Sequence, residues 1–398
     1  MTEARPFPFV TPDPSQPPAE YGELRADHPL IPVVLPTGHH GWVAVSYAAV
    51  RQVCTDERFS KNAVTRPDAP KLLPIARGSK SIVTMDPPEH TRMRRLIGRA
   101  FTARRVEELR PRVREIAVGL IEAMERTDPP ADAVEALAMP LPMTVICELL
   151  GVPVDDQAEF RGWSDGFLTV SATAEGAERA RAAAHALTGY LRGLIERKRA
   201  APADDLLTGL IDAYEDGNRL DEEELLAFGV TLLVAGYHTT ASAISHSLFH
   251  LLAHAERYGK LQADPAALAS TCAELLRYSQ VGGGFGSMRI AVADVTVCGT
   301  TVREGEPVIP AFGAANRDPD VFAHPDVLDL DRPAQANLAF GAGTHYCLGA
   351  QLARTELETL LELLIDRLPG LKLAVPAEQI EWNTSAAFTR PVRLPIEW

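Results

Sequence analysis

Residues 106–254 carry helical periodicity with few breaks, and this long segment constrains the fold more than any other feature of the sequence. Glycines and prolines interrupt the pattern at 128–130, 151–153 and 201–203, where we expect helices to end. Within the segment, residues 175–199 are rich in alanine and charge and predict a surface helix. The fold class is therefore expected to be mainly α.

One helix of this segment is expected to be much longer than its neighbours. Asp221 followed by Glu224 is a capping-box pattern, with an acid at the cap position and a glutamate three residues later. Helical periodicity then continues to about His254, which corresponds to a helix on the order of 50 Å long. Such a helix can cross a whole domain.

A smaller β portion accompanies the helices. Residues 31–35 and 41–45 are β-prone runs around a turn at 36–38, and they predict a hairpin-like pair followed by a helix over 48–54. Residues 290–297 and 381–398 predict further short strands, and 60–80 predict a long loop, which is often functional.

Composition and charge exclude several classes of protein. The formal net charge of −14 argues against nucleic acid as a main partner. No run of 18 apolar residues occurs and the N-terminal segment is polar, so neither a membrane anchor nor a secretory signal is expected, and the location is expected to be cytoplasmic. Five scattered cysteines argue against a disulfide framework.

A glycine-containing loop near the C-terminus carries a single cysteine, Cys347, just before a new helical pattern. A thiol at the start of a helix is favoured as thiolate by the partial positive charge and free N–H groups there. One thiolate without further cysteines suits an axial ligand of haem iron and does not suit a four-ligand zinc or iron–sulfur cage. Taken alone, a lone cysteine is more often an inert, small apolar residue.

The full loop resembles the ligand loop of the cytochrome P450 family, F-G-x-G-x-H-x-C-x-G, followed by L-A-R at 352–354. The matching residues are Phe340, Gly341, Gly343, His345, Cys347 and Gly349. The resemblance, to bacterial soluble members of the family, implies that Cys347 is the proximal ligand of haem b (iron protoporphyrin IX). It also implies one cytochrome P450 domain over residues 1–398, mainly α with a smaller β portion, with haem between the long helix and the cysteine loop.

Further segments that match the family imply the residues that hold the haem propionates. In D-P-P-E-H-T-R-x-R these are His90 and Arg94, which on their own would equally suit a solvated helix face. The resemblance adds Arg289 and His345. A cation and donor set of this kind is physically reasonable, because buried carboxylates are costly unless such groups meet them.

The long helix contains A-G-x-x-T-T, which resembles the family's oxygen-binding groove and assigns Ala235, Gly236 and the oxygen-side Thr239 to it. Taken alone, this stretch equally suits a helix crossing through small residues, where Thr239 bonds back to the preceding turn. The family usually has an acid where this chain has His238. His238 either relays protons, if it titrates near neutrality, or is a structural replacement with protons arriving through water or a substrate hydroxyl.

Glu274 and Arg277 match the family's E-x-x-R pair, and Arg332 resembles the third member of that structural triad. An acid–base pair three residues apart is common on helix surfaces and is weak evidence by itself. The resemblance implies that the triad fixes the loop that carries Cys347.

Between residues 92 and 114 the sequence has nine arginines and two acids, which suits either a solvated helix face or a docking surface. The resemblance implies that Arg92, Arg95 and Arg99 face a ferredoxin-type electron carrier.

The resemblance implies a monooxygenase that uses O₂ and ferredoxin-derived electrons to hydroxylate or epoxidise a small apolar metabolite, with terpenoid or polyketide biosynthesis as the expected setting. The residues expected around the substrate are Leu232, Val281, Phe285, Met288 and Phe388. Two alternatives remain: a haem-thiolate enzyme of other outcome (rearrangement, coupling or peroxide-driven oxidation), and a non-catalytic haem- or ligand-binding protein.

Overall fold

The computed structural model describes residues 4–72, 81–98, 101–168, 174–215, 220–279, 281–282, 287–333, 335–384 and 388–398. These residues form two compact units. The first is drawn from Met1–Thr91, Leu276–Asp329 and Ala334–Cys347, and the second from Arg92–Leu275, Leu330–Pro333 and Leu348–Trp398.

The secondary structure of the described residues is mainly helical. The α-helices are α1 (Ala19–Arg25), α2 (Tyr47–Thr55), α3 (Glu89–Gly98), α4 (Ala103–Glu125), α5 (Pro140–Leu150), α6 (Gln157–Leu168), α7 (Ala174–Ala200), α8 (Leu206–Glu215), α9 (Glu222–Leu252), α10 (Ala255–Ala263), α11 (Leu268–Tyr278), α12 (Phe312–Ala315) and α13 (Ala350–Arg367). A π-helical turn covers Val134–Ala138, and 3₁₀ turns include Asn62–Thr65 and Gly343–His345.

The strands are short. They are β1 (Arg5–Pro6), β2 (Leu30–Val34), β3 (His40–Ala44), β4 (Phe59–Ser60), β5 (Ala131–Asp132), β6 (Arg289–Ala291), β7 (Val295–Val297), β8 (Thr300–Val302), β9 (Pro307–Pro310), β10 (Lys372–Leu373), β11 (Trp382–Asn383), β12 (Arg390–Pro391) and β13 (Pro395–Glu397).

The first unit is built around a six-stranded sheet of order β1-β2-β3-β9-β6-β4. The predicted hairpin is confirmed: β2 and β3 pair antiparallel, with Leu30 opposite Ala44 and Val34 opposite His40. β9 then pairs parallel to β3 and antiparallel to β6, so that Arg289 lies in the strand next to the edge strand β4, opposite Val308. The predicted helix over 48–54 is α2, whose Ser46 cap accepts from the N–H of Ala49.

The second unit contains the long helix α9 at its centre, packed against α5, α6, α7, α8, α13 and β12. The predicted capping box is confirmed. The Asp221 carboxylate accepts from the N–H of Glu224 at 2.7 Å, and the Glu224 carboxylate accepts from the N–H of Asp221 at 3.0 Å. Two small sheets, β10-β13-β5 and β11-β12, complete this unit.

Within the described residues, α9 is the one helix that is long and apolar enough to cross a membrane. Most of its apolar window is buried inside the protein, as expected for the central helix of a globular core.

The predicted helix boundaries largely agree with the structure, and the differences have local causes. At Gly151 the chain takes a left-handed conformation, φ +68°, which ends α5. The predicted loop over 60–80 is partly ordered, because Asn62–Thr65 forms a 3₁₀ turn; residues 73–80 lie outside the described part of the chain. The predicted strand over 290–297 is divided between β6 and β7.

Candidate active site

The loop that carries Cys347 is shaped by two glycines with positive φ, Gly341 at +74° and Gly343 at +70°. The Cys347 N–H donates to the Phe340 carbonyl at 2.9 Å, which closes the loop. The Cys347 side chain is exposed. The helix α13 begins at Ala350, two residues after Leu348, where the sequence pattern predicted it to start, and Gly349 is its cap residue.

The end of α2 lies directly against this loop. A Cβ atom at Gly343 would clash with the carbonyl oxygen of Cys54, so only glycine fits there. Burial raises the pKa of the Cys54 thiol, and the Arg289 guanidinium and the Ala342 N–H, both hydrogen-bonded to it, partly offset the effect. Cys54 thus joins the loop to the buried guanidinium of Arg289 in β6.

Two histidine rings lie in contact beside the loop, tilted by 43° to each other. The His90 and His345 ring centroids are 4.2 Å apart, and His90 is only 2% exposed. The His90 N–H donates to the Asp86 carbonyl at 2.9 Å, and the Asp86 carboxylate accepts from Ser60 Oγ and from the Lys61 N–H. The first unit therefore brings together the elements that carry three residues predicted to bind the propionates. These are the start of α3 with His90, the loop with His345, and β6 with Arg289.

A chain of hydrogen bonds links Arg277 to the same loop. The fully buried Arg277 donates to the Asn316 carbonyl at 2.7 Å. The Asn316 side-chain oxygen accepts from the Leu338 N–H at 2.7 Å, and the Leu338 carbonyl accepts from the Gly341 N–H at 3.0 Å. These contacts agree with the predicted role of Arg277 in fixing the cysteine loop.

Glu274 and Arg332 form a buried ion pair in the second unit, with Arg332 Nε 3.0 Å from Glu274 Oε1. Both side chains are less than a tenth exposed. Removal of one partner from such a pair leaves a buried charge, which is strongly destabilising. The predicted third member of the triad, Arg332, therefore contacts the first member, Glu274.

The predicted oxygen groove lies in the middle of α9. The Thr239 hydroxyl donates to the Ala235 carbonyl at 2.6 Å, which is the predicted bond back to the preceding turn. Ala235 is exposed and Thr239 half-buried, in a helix that is otherwise mostly buried beyond this point. Gly236 packs on Ile146 of α5, whose side chain would lie 3.1 Å from a Cβ there, so the small-residue helix crossing is real as well.

His238 is buried and faces α6. Its Nε2 lies 3.0 Å from Ser164 Oγ and 3.6 Å from Asp165 Oδ1. Burial, with the nearby cations Arg390 and Arg161, lowers the pKa of His238 to about 3. The imidazole is therefore neutral at pH 7, and the geometry favours the structural alternative over an imidazolium proton donor.

Among the described residues, four of the nine arginines in the arginine-rich segment pair with acids from elsewhere in the second unit, one of them being Arg110 with Glu358. Arg92 forms an ion pair with Glu224 at the start of α9, Arg112 with Glu148, and Arg114 with Glu362. The segment is therefore much less basic on its surface than the sequence suggested. Arg95 is exposed, Arg94 is half-buried, and Arg99 lies outside the described residues.

The residues predicted around the substrate fall in both units. Met288 is buried and packs in the core cluster of the first unit with Val33 and Ile309, and Val281 is half-buried. In the second unit Leu232 is buried and Phe388 half-buried, while Phe285 lies outside the described residues.

The residues of the first unit fit a haem group. An exposed thiol on a glycine loop, with a buried guanidinium and two histidines beside it, could supply one iron ligand and donors for anionic side chains. Among the described residues there is no cluster of three or more histidine, cysteine, aspartate or glutamate side chains that could hold a metal ion by itself.

Sequence reasoning missed three contacts at this site: Cys54 under the loop, and Ser164 and Asp165 beside His238. Cys54 is far from the loop in sequence, and nothing in its local pattern marks it. Ser164 and Asp165 lie 74 and 73 positions before His238, so only the packing of α6 on α9 brings them together.

Comparison with known proteins gives a consistent result. The family model described as "Cytochrome P450" matches residues 172–369. The chain is 44% identical to nocardicin C N-oxygenase from Nocardia uniformis subsp. tsuyamanensis, over 100% of this chain and 99% of that protein. It is 43% identical to mycinamicin IV hydroxylase/epoxidase from Micromonospora griseorubida, over 95% of this chain and 94% of that protein. The crystal structure of cytochrome P450mel 107F1 with biaryl coupling reactivity is similar with a TM-score of 0.94 and 35% identity, each chain being covered completely.

Proposed function

Because this chain belongs to the cytochrome P450 family of bacterial monooxygenases, we propose that it oxidises a small apolar metabolite of a natural-product pathway. The proposed reaction is hydroxylation or epoxidation with O₂ and with electrons from a ferredoxin and its reductase. The relatives named hydroxylase/epoxidase and N-oxygenase support an oxygenation reaction. A cytoplasmic location is part of the proposal.

The observation that carries the proposal is the geometry of the cysteine loop. The exposed Cys347 thiol stands on a loop held by Gly341, Gly343 and the Cys347–Phe340 backbone bond. In the proposed enzyme Cys347 binds the iron of haem b. Bound haem supplies the activation of O₂, in which electron donation by a cysteine thiolate favours O–O cleavage.

The side chains around the loop would hold the haem propionates. Arg289 and His90 are buried and His345 is half-buried, so an anion placed beside them gains charge-assisted hydrogen bonds at little further cost of desolvation. Arg94, one turn after His90 on α3, is assigned to the same task. Gly341 and Gly349 have no side chain and would let the flat ring approach the backbone, and Phe340 would contact the ring.

The Thr239 hydroxyl donates a hydrogen bond to the Ala235 carbonyl, which orients it. Its oxygen would therefore accept a hydrogen bond on the oxygen side of α9. Gly236 lets α9 pack closely on α5. The small, exposed side chain of Ala235 leaves its own face of α9 accessible. Leu232, Val281, Phe285, Met288 and Phe388 are proposed to contact the substrate.

Oxygen incorporation tests this function directly. The purified chain, loaded with haem and supplied with ferredoxin, ferredoxin reductase and reduced nicotinamide cofactor, is incubated under ¹⁸O₂ with a panel that begins with mycinamicin IV and nocardicin C. We expect a product that carries one ¹⁸O atom and requires ferredoxin. A dehydrogenated product that carries no ¹⁸O, or turnover that occurs only with added peroxide, would contradict the proposal of a monooxygenase.

A second candidate function is a haem-thiolate oxidation that leaves no oxygen in the product. The similarity to the biaryl-coupling P450mel 107F1 favours it, as does the replacement of the usual acid by the buried His238. In the same experiment it predicts dehydrogenated or coupled product without ¹⁸O.

Arg95 is proposed to contribute to ferredoxin docking because it is exposed on α3. We expect Arg95→Glu to raise the KM for ferredoxin about 3- to 10-fold at low salt and much less above ~0.3 M salt, since exposed charges are screened within about 10 Å at 0.1 M. Steady-state ferredoxin titrations measure this. Arg181→Glu on α7, also exposed, is the matched control, and equal effects of the two variants would contradict docking at Arg95.

A further inference from the structure

Asp165 of α6 is an acidic residue next to His238, which occupies the position where the family usually has an acid. Its Oδ1 lies 3.6 Å from His238 Nε2, and the Tyr237 hydroxyl hydrogen-bonds to its carboxylate. Tyr237 and His238 directly precede Thr239 on α9, so α6 presents a carboxyl group to the turn that contains the oxygen-side threonine.

The environment of Asp165 suits a group that holds and gives up a proton. Its side chain is 41% exposed, so it can exchange protons with solvent, while His238 at its inner side is 4% exposed. Partial burial raises the pKa of Asp165 above the ordinary value for an aspartate.

Several other groups face this carboxyl. Arg161 of α6 lies 3.8 Å away and Arg390 of β12 adds a second positive charge; both favour the ionised form. Glu135 in the π-helical turn opposes them and also pairs with Arg161 at 2.8 Å. Ser164 is fully buried and holds the same His238 nitrogen at 3.0 Å, so the ring is fixed from the α6 side.

We propose that Asp165, held against α9 by His238 and Tyr237, is the proton-relay carboxyl that replaces the acid missing from position 238. The inference rests on the proposed function and assigns a new residue to it. One proton passes from the Asp165 carboxyl to a solvent water at the Thr239 turn, and the carboxylate takes a replacement proton from bulk solvent at its exposed edge; no oxidation state changes in this step. His238 and Ser164 are positioning residues.

The test compares Asp165→Asn with Glu135→Gln, a matched neutralisation in the same charge cluster that makes no contact with His238 among the described pairs. With the panel compound that gives product, we expect Asp165→Asn to lower product per electron pair about 10-fold or more, with the electrons released as hydrogen peroxide. Glu135→Gln should resemble the wild type. The double variant Asp165→Asn/His238→Asp, which puts the carboxyl back on α9, should recover most of the coupling.

Two measurements do not depend on turnover. In ¹³C-carboxyl NMR of the resting holoenzyme, a carboxyl that titrates above the ordinary aspartate range should disappear in Asp165→Asn and shift in His238→Gln. Hydrogen exchange of α6 amides should stay unchanged in Asp165→Asn, whereas a purely structural tie would speed it.

The outcomes distinguish failure of the Asp165 proton relay from failure of the proposed monooxygenase function. Wild-type coupling in Asp165→Asn, an ordinary titration of Asp165, or faster α6 exchange with no rescue by His238→Asp would overturn the relay while leaving the proposed function intact. A wild-type enzyme that converts a panel compound without incorporating ¹⁸O would instead contradict the proposed function, and the NMR titration would still decide whether Asp165 and His238 are coupled.

Discussion

Replacement of Cys347 by alanine is expected to abolish the thiolate-type absorption band of the reduced carbon monoxide complex and all oxygenase turnover. Cys347 is the exposed thiol on the loop shaped by Gly341 and Gly343, and the proposed iron ligand. Without Cys347 a bound haem iron would lack the thiolate whose electron donation favours O–O cleavage. Reduced minus oxidised spectra under carbon monoxide, together with haem content per chain, measure the effect.

A second exposed cysteine provides the control. Cys298 lies in the β7–β8 turn of the same unit, outside the loop, and Cys298→Ser should keep the band at wild-type intensity. If Cys347→Ala retains the same band, or if the wild type binds no haem, the loop has been misinterpreted and the proposed function fails with it.

The parts of the fold that sequence predicted well rest on local chemistry. The capping box at Asp221 and Glu224 needs only residues three positions apart, and it formed as expected. The Thr239 bond to Ala235 is likewise a contact within one helical turn. Strand pairing of β2 with β3 followed from a short connection between two β-prone runs.

What the sequence could not predict depends on contacts between distant segments. The arginine-rich run of α3 and α4 looked like an open basic surface, yet its partners Glu148, Glu224 and Glu362 are supplied by three other helices. The environment of His238 is of the same kind, because its neutral state is set by α6 and by Arg390 of β12. The type of a residue is known from the sequence, whereas its protonation state depends on the residues that pack around it in the fold.

The burial of Glu356 could have been predicted from its position in the sequence. It lies four residues after Leu352 and four before Leu360, so on α13 it occupies the apolar face that these leucines bury. The structure buries it to 3% exposure. Its Oε2 and the hydroxyls of Thr355 and Thr359 make no hydrogen bond with the described part of the chain.

Glu356 is therefore expected to make the stability of the protein fall with rising pH. Burial raises the pKa of Glu356 from an ordinary value near 4.5 to about 8. The unfolded chain releases this proton above pH 4.5, whereas the folded chain retains it until about pH 8. The stabilisation is complete below pH 4.5 and is lost between pH 4.5 and 8, by roughly 4–5 kcal/mol at about 1.4 kcal/mol per pKa unit.

Glu356→Gln keeps the shape of the side chain and cannot ionise, so its free energy of unfolding should lack this slope. Relative to the wild type, the variant should gain roughly 4–5 kcal/mol between pH 4.5 and 8, which urea unfolding at several pH values in that range measures. Glu362→Gln, on the exposed side of α13, removes only a surface ion pair and should shift stability by about 1 kcal/mol or less. Parallel pH curves for wild type and Glu356→Gln would show that the carboxyl is not held protonated by the fold. A slope lost only in Glu356→Gln would identify this one buried carboxyl as the origin of the pH dependence.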